Sequence, residues 1–440
     1  MLDYEALTKI QAAMLTAIIL VAAITAYAVW TWNTPSEEVI RIGICADIDM
    51  PSGKAVWQGA VLAAEQVNAE GGILGRNITI VAEDNDSETS ADIVMATNAL
   101  TKLITIDKAD FVMISAQSGL LPSQDICADN KKILLGLSSP LDNYTQRVLD
   151  DYSRYKYSFR LNPPNQTTVF VGILGDILTL QNYTGFTKVA LLFQDFTGLK
   201  EMIAGLNITL AKYGVDVVYS SLVSPAVTDF ASYFAAIEES GAEMLVPYIG
   251  TQASVSFVKE WYDRQSPCVI WGILIYAGES NFWELTEGKC EYVSFVNLPI
   301  LSGYPLTNKT LPTREAYLQR WGTVIPGGSA VAAYDGIRFI LPDAIKRAGT
   351  TETEAVIKTL ENVNVETSMA RHFVFTGSHD VMVGAGGPDN PAEDYVLRCY
   401  FQYQADDTLV PVKPKTIMEE AGATYKYPPW HGPWDNKQIP

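Results

Sequence analysis

Residues 39–86 read as one βαβ unit, and no other stretch constrains the fold as much. Val39-Ile40-Arg41-Ile42-Gly43-Ile44 has the β-branched, apolar make-up of a strand. A loop is expected over 47–54. A helix over 55–69 then sets Val56, Ala60, Ala63 and Val67 on one face. Gly71-Gly72 ends that helix, and Ile78-Thr79-Ile80-Val81-Ala82 is the second strand. Two strands joined through a helix run parallel, since a tight hairpin only serves antiparallel neighbours. A further helix over 91–103 (Ile93, Ala96, Leu100, Leu103) and short apolar strands at 111–114 and 133–137 repeat the pattern. Such alternation predicts a parallel sheet with helices on both faces.

The pattern pauses at Tyr157-Ser158-Phe159-Arg160-Leu161 and Asn162-Pro163-Pro164, which reads as a crossing strand and a boundary. A second series follows, with helices over 167–180, 199–213, 230–240 and 253–264. Its strands are expected at 188–193, 215–220, 243–247, 268–273 and 292–296. Leu298-Pro299 is the next boundary. Helices over 314–321, 330–348 and 352–360, a strand-like stretch from Tyr395 to Tyr403 and a Pro-rich end complete the chain.

The only long apolar run precedes all of this. No residue from Ala12 to Trp30 is charged, and those 19 residues would span about 28 Å as a helix, close to the hydrocarbon thickness of a bilayer. Trp30 and Trp32 suit the interface. An uncleaved anchor is expected over 1–38, with a short linker at its end; a signal peptide cut near Ala26-Tyr27-Ala28 is the rival. Either way the rest of the chain lies outside the cell membrane. No second span follows, so the chain is not itself a channel. Seven Asn-X-Ser/Thr sequons, at Asn77, Asn85, Asn143, Asn165, Asn182, Asn207 and Asn308, agree with an exported glycoprotein. Five cysteines show no C-x-x-C spacing, and Cys268 with Cys290 is the candidate disulfide. A net charge of −19 argues against nucleic acid as a partner.

Several pieces, in order, carry a resemblance. Asn68-Ala69-Glu70-Gly71-Gly72-Ile73-Leu74-Gly75-Arg76 with Asp84 is similar to the type 1 periplasmic binding proteins of the branched-chain amino acid (Leu/Ile/Val) receptor family. Ala332-Ala333-Tyr334-Asp335-Gly336-Ile337 resembles that family's late helix. Phe373-Val374-Phe375 with Gly377-Ser378-His379-Asp380 resembles its closing hairpin. The resemblance covers about 39–430. It implies two doubly wound parallel-sheet lobes joined by a three-strand hinge near Phe159, Leu298 and Asp394. One lobe takes 39–160 and 300–390, the other 161–298 and 391–425, with 426–440 an irregular tail. The implied function is a receptor of an ABC importer that captures a small molecule by hinge closure and delivers it to permease subunits. No cofactor and no metal are implied. A surface structural or sensory protein on the same fold is the alternative.

Ligands of open parallel sheets lie beyond the carboxyl ends of the strands. That rule selects Ser115-Ala116-Gln117-Ser118-Gly119 and Ser138-Ser139-Pro140. Small hydroxyl residues with free N–H groups at a helix start suit a carboxylate. The resemblance assigns ligand contact there to Gln117, Ser118, Ser138 and Ser139, beside which stands plain helix capping. In the second series it assigns an aromatic cover to Phe196 and side-chain contact to Thr251 and Tyr276. Thr251 also reads as an N-cap, and Phe196 as a core aromatic. Members of the family often place an acid after the next strand to meet an ammonium group. Here Gly272-Ile273-Leu274-Ile275-Tyr276-Ala277-Gly278-Glu279 is apolar at that point, with Glu279 displaced. A buried ammonium without a counter-charge is costly, which counts against an α-amino acid itself and leaves an amide, a small acid or an aromatic acid open beside the amino-acid-like ligand that the resemblance implies. His372, His379 and His431 lack metal-ligand spacing, and there is no G-x-S-x-G or P-loop. Catalysis is not expected.

Overall fold

The structure, a computed structural model, describes residues 39–86, 93–116, 119–138, 140–162, 165–196, 198–384, 395–397 and 399–430. The anchor expected over 1–38, the crossing expected near Asp394, and Gln117, Ser118 and Ser139 lie outside them. Among the described residues no helix is long and apolar enough to cross a membrane.

The first sheet is built from β1 (Ile40–Ala46), β2 (Ile78–Asp84), β3 (Phe111–Ile114), β4 (Ile133–Gly136) and β5 (Ser158–Arg160). Between them run α1 (Pro51–Ala69), α2 (Ile93–Thr105), α3 (Leu120–Asn130) and α4 (Asp142–Asp150). Its order is β2-β1-β3-β4-β5, parallel throughout. The chain then forms α5 (Gln166–Thr184), β6 (Lys188–Gln194), α6 (Leu199–Ala211), β7 (Asp216–Val223), α7 (Ala231–Glu239), β8 (Met244–Ile249), α8 (Ala253–Asp263), β9 (Val269–Leu274) and β10 (Ser294–Asn297). It continues through α9 (Thr310–Trp321), α10 (Ser329–Asp335), α11 (Leu341–Ala348) and α12 (Thr353–Leu360). It ends in β11 (Cys399–Gln404), β12 (Thr408–Lys413) and α13 (Lys415–Glu420). The second sheet has the order β12-β11-β10-β9-β8-β6-β7.

Alternating residues of each strand face different cores, as the period of two requires. In the first sheet Ile42, Phe111 and Met113 meet α1 and α10, while Cys45, Val112 and Ile114 meet α2 and α3. In the second, Ala190 and Leu192 face α7 and α8, while Leu191 and Phe193 face α5 and α6. Val56, Ala60, Ala63 and Val67 are all buried, as the spacing predicts. Helix α1 lies so close to α10 that a Cβ on Gly59 would stand 2.7 Å from the Ala330 carbonyl oxygen.

Several expectations need correction. Helix α1 begins at Pro51, not Ala55; proline suits the first helical position because its missing N–H has no partner there anyway. The long helix expected over 330–348 is interrupted by a π turn at Gly336–Ile340. Pro342 cannot donate to the carbonyl four residues back, and its ring crowds it. The second sheet is mixed, because β11 runs antiparallel to both β10 and β12. Strand β12 and helix α13 were not expected. Asp406 and Asp407, with φ of 60° and 58°, form the primed turn that joins β11 to β12. Cys268 and Cys290 are not bonded: all five cysteines are free and buried.

The chain passes from the first sheet toward the second after β5. There Arg160, 0% exposed, meets Asp380 through two hydrogen bonds, Nε to Oδ1 at 2.8 Å and Nη2 to Oδ2 at 3.1 Å. Arg160 also donates to the Leu141 carbonyl and the Thr145 hydroxyl. Asn165, the cap of α5, donates to Asp380 at 2.8 Å. Removing one member of such a pair costs about 3–5 kcal/mol, because the other charge stays buried.

Asp335, at the end of α10, is fully buried and accepts hydrogen bonds from the Ser368 hydroxyl (2.7 Å) and backbone N–H (3.0 Å). Burial pushes its carboxyl up to about 7 from an ordinary 3.8. The folded protein therefore holds this proton where the unfolded chain has lost it. The stability it contributes is fully present below 3.8 and is lost as pH rises through about 7. We expect Asp335→Asn to remove this part of the decline in urea midpoint between pH 4 and 7.5. Parallel midpoint-versus-pH curves for the two proteins would contradict the assignment.

Candidate functional site

Both sheets share one topology over their parallel part: β2-β1-β3-β4-β5 in the first and β7-β6-β8-β9-β10 in the second. The strand order reverses direction between β1 and β3, and between β6 and β8. At those points the following helices leave toward opposite faces and open a crevice at the carboxyl ends of the strands. The candidate site is the pair of rims that these ends form.

In the first rim, Asp47 follows β1 and is 2% exposed. Ser115 and Ala116 follow β3, and Ser138 follows β4. Asn85, just beyond β2, is fully buried. Its N–H donates to the Ala46 carbonyl, and its Nδ2 donates to the Ser115 carbonyl at 3.0 Å and contacts the Cys45 sulfur at 3.6 Å. Ser138 is half-buried and donates to the Ala116 carbonyl at 3.0 Å. Its hydroxyl thereby ties the loop after β4 to the loop after β3. Ser329, opening α10, donates to the Leu137 carbonyl at 2.6 Å. Burial pushes the Cys45 thiol up to about 12, so it is neutral and no nucleophile at ordinary pH.

In the second rim, Gln194 ends β6 and is fully buried. Its Oε1 accepts from the Gly250 N–H at 2.8 Å, and its Nε2 donates to the Thr251 hydroxyl at 2.7 Å and the Pro225 carbonyl at 3.3 Å. Thr251 in turn accepts from the Ala253 N–H at 3.3 Å, which is a turn-closing role at the start of α8. Phe196 is half-buried at the end of β6. A Cβ on Gly250 would lie 3.3 Å from the Phe196 ring and 3.5 Å from Cδ1 of Ile275. Phe196, Gly250 and Ile275 therefore adjoin one another at the ends of three neighbouring strands. Ile275 is 52% exposed, whereas Tyr276 is half-buried against the second core. Asp195, beside Phe196, is exposed.

Of the residues chosen from sequence, the structure places Ser138 in the first rim and Phe196 and Thr251 in the second. Asn85, Gln194 and Ile275 were missed. Gln194 carries a faint signal, a polar residue closing the run Lys188-Val189-Ala190-Leu191-Leu192-Phe193. Trp57 packs on Trp321 with ring centroids 5.8 Å apart. Among the described residues no cluster of His, Cys, Asp or Glu could hold a metal ion.

A sequence model of the periplasmic binding protein family matches residues 40–385. The chain belongs to that family. This bears out the resemblance and the α/β, type 1 architecture. The fold is similar to that of a branched-chain amino acid ABC transporter protein from Silicibacter pomeroyi: TM-score 0.75, 19% identity, 89% of this chain and 100% of that one. It is also similar to a branched-chain amino acid transporter substrate-binding protein from Streptococcus pneumoniae, solved with isoleucine: TM-score 0.67, 19% identity, 86% of this chain and 100% of that one. An amino acid binding protein from Pseudomonas aeruginosa is 27% identical over 194 residues, 44% of this chain. The chain spans about half the length of that curated relative, 48%.

Gln194 is the residue on which the second rim turns. Replacing it by leucine keeps the volume but leaves the Gly250 N–H without its acceptor, which costs about 1–3 kcal/mol. We expect Gln194→Leu to lower the urea midpoint accordingly, and Gln194→Glu to lower it as well, since a buried carboxylate would face the Pro225 carbonyl to which the amide donates. Equal midpoints for Gln194→Leu and the parent protein would refute this role.

Proposed function

We propose that this chain is the solute-binding receptor of an ABC importer, closing its two rims on one small molecule. The single observation that carries the reading is the half-exposed Ile275. It stands beside Phe196 at a strand-end rim, where ligands of such sheets bind. In this reading the solute's apolar body rests on Ile275 and Phe196. Its polar head faces the loops 115–118 and 138–139 of the other rim, with Gln117, Ser118, Ser138 and Ser139 as contacts and Thr251 and Tyr276 flanking. The two bodies divide as the sequence suggests and move about the crossings.

An ammonium group set against Ile275 would lose its water without gaining a counter-charge. This favours a carboxylate, an amide or an aromatic acid. If the solute carries an amine, Asp195 is the acid beside this wall that would meet it. The segment 1–38 tethers or exports the receptor, and the permease is a separate chain in the membrane. Export also brings the sequons to a compartment where sugars are added.

Binding to the folded state alone raises stability by about 2.7 kcal/mol when the ligand stands at 100 times its Kd. We expect one member of a panel of isoleucine, benzoate, small amides and short carboxylates to raise the Tm of the purified protein. We expect Ile275→Asp to abolish that rise, and Asp195→Asn to weaken amines only. No rise across the panel, together with self-assembly of the ligand-free protein, would favour a structural role at the cell surface instead.

A further inference from the structure

We propose that Asn77, Asn143, Asn182, Asn207 and Asn308 are acceptors of N-linked sugar, and that Asn85 and Asn165 are not. Seven of the eighteen asparagines open an Asn-X-Ser/Thr sequon, none with proline at X. The fold sorts the seven into two kinds. The five named acceptors are exposed, and their side-chain amides hold no hydrogen bond among the described residues. All five end in threonine. They are spread over both bodies: before β2, in α4, at the end of α5, on α6 and before α9.

The other two are committed elsewhere through the very atom that a sugar would occupy. Asn85, the one serine sequon, is fully buried, and its Nδ2 is held by Ser115 and Cys45. The Nδ2 of Asn165 donates to Asp380, which Arg160 also grips, while its Oδ1 accepts from the Thr168 N–H. A substituent on the Asn85 Nδ2 would have to displace packed protein and take a hydrogen from one of its two contacts, and one on the half-buried Asn165 Nδ2 would crowd the buried Arg160–Asp380 pair.

The reaction is a glycosyl transfer from an oligosaccharide carried on an isoprenoid phosphate lipid, by a membrane-bound transferase. The asparagine Nδ2 attacks the anomeric carbon. The C–N bond forms as the bond from that carbon to the phosphate oxygen breaks. The lipid phosphate leaves with the electron pair, and one amide proton passes to the transferase. Nothing is oxidised or reduced.

This inference rests on the export of the chain assumed above, not on its ligand. Glycopeptide mass spectrometry of the full chain purified from its native cells tests it, with protease treatment of intact cells reporting export. Sugar on any of the five exposed asparagines, with Asn85 and Asn165 bare, supports the proposal. Bare asparagines throughout a protein that external protease cleaves overturn it and leave the receptor reading standing. Bare asparagines in a protein that external protease cannot reach overturn both. Sugar on Asn85 or Asn165 of the folded protein overturns the division drawn here.

Discussion

In each sheet one buried amide side chain binds three strand ends into a single rim. Ladder hydrogen bonds stop where the strands stop, and at the reversal of strand order the next helices part to opposite faces. Backbone groups just beyond the strands are then buried and need partners. Asn85 supplies them across β2, β1 and β3, and Gln194 across β7, β6 and β8. At Gln194 only an amide can do this, because the position must donate to Pro225 and Thr251 and accept from Gly250 at once. A carboxylate could not donate, and an aliphatic chain could do neither. The loops so held are already ordered, and a ligand that met them would be spared part of the entropy cost of binding.

Much of the fold was legible because its signals are local. The face Val56-Ala60-Ala63-Val67 and the short apolar strands of both sheets follow from periods of 3.6 and 2. What sequence hid depends on distant partners. Met50-Pro51-Ser52-Gly53 looks like a turn, yet it opens α1 with Gly53 pressed against the Asp47 backbone. Pro411 argues against a strand, but β12 is an edge, where proline is tolerated. Cys268 and Cys290 were paired by export and spacing alone, and the packing keeps both thiols separate in the second core.

The candidate site was legible as a set of loops and not in its contacts. The rule of carboxyl ends found the loops holding Ser138, Phe196 and Thr251. It could not tell that Thr251 spends its hydroxyl on Gln194 and Ala253. Nor could it tell which of Ile275 and Tyr276 turns outward after β9, since a single turn of 3-10 helix decides that. The apolar character noticed there is real, and it is Ile275 that presents it.

Neither sheet with its covering helices can be finished from a contiguous piece of chain. Helix α1 needs α10, with Tyr334 bonded to Gln66 across 268 residues. Asp176, on α5, meets Tyr400 across 224 residues and the Lys413 ammonium across 237. Until those distant stretches have left the ribosome, a carboxylate destined for the interior has no cation to accompany it. Pairings of such long reach also form slowly. A nascent chain of this design cannot complete its packing until the last stretches are made, and an incompletely packed chain is the form in which a polypeptide can be passed through a membrane pore.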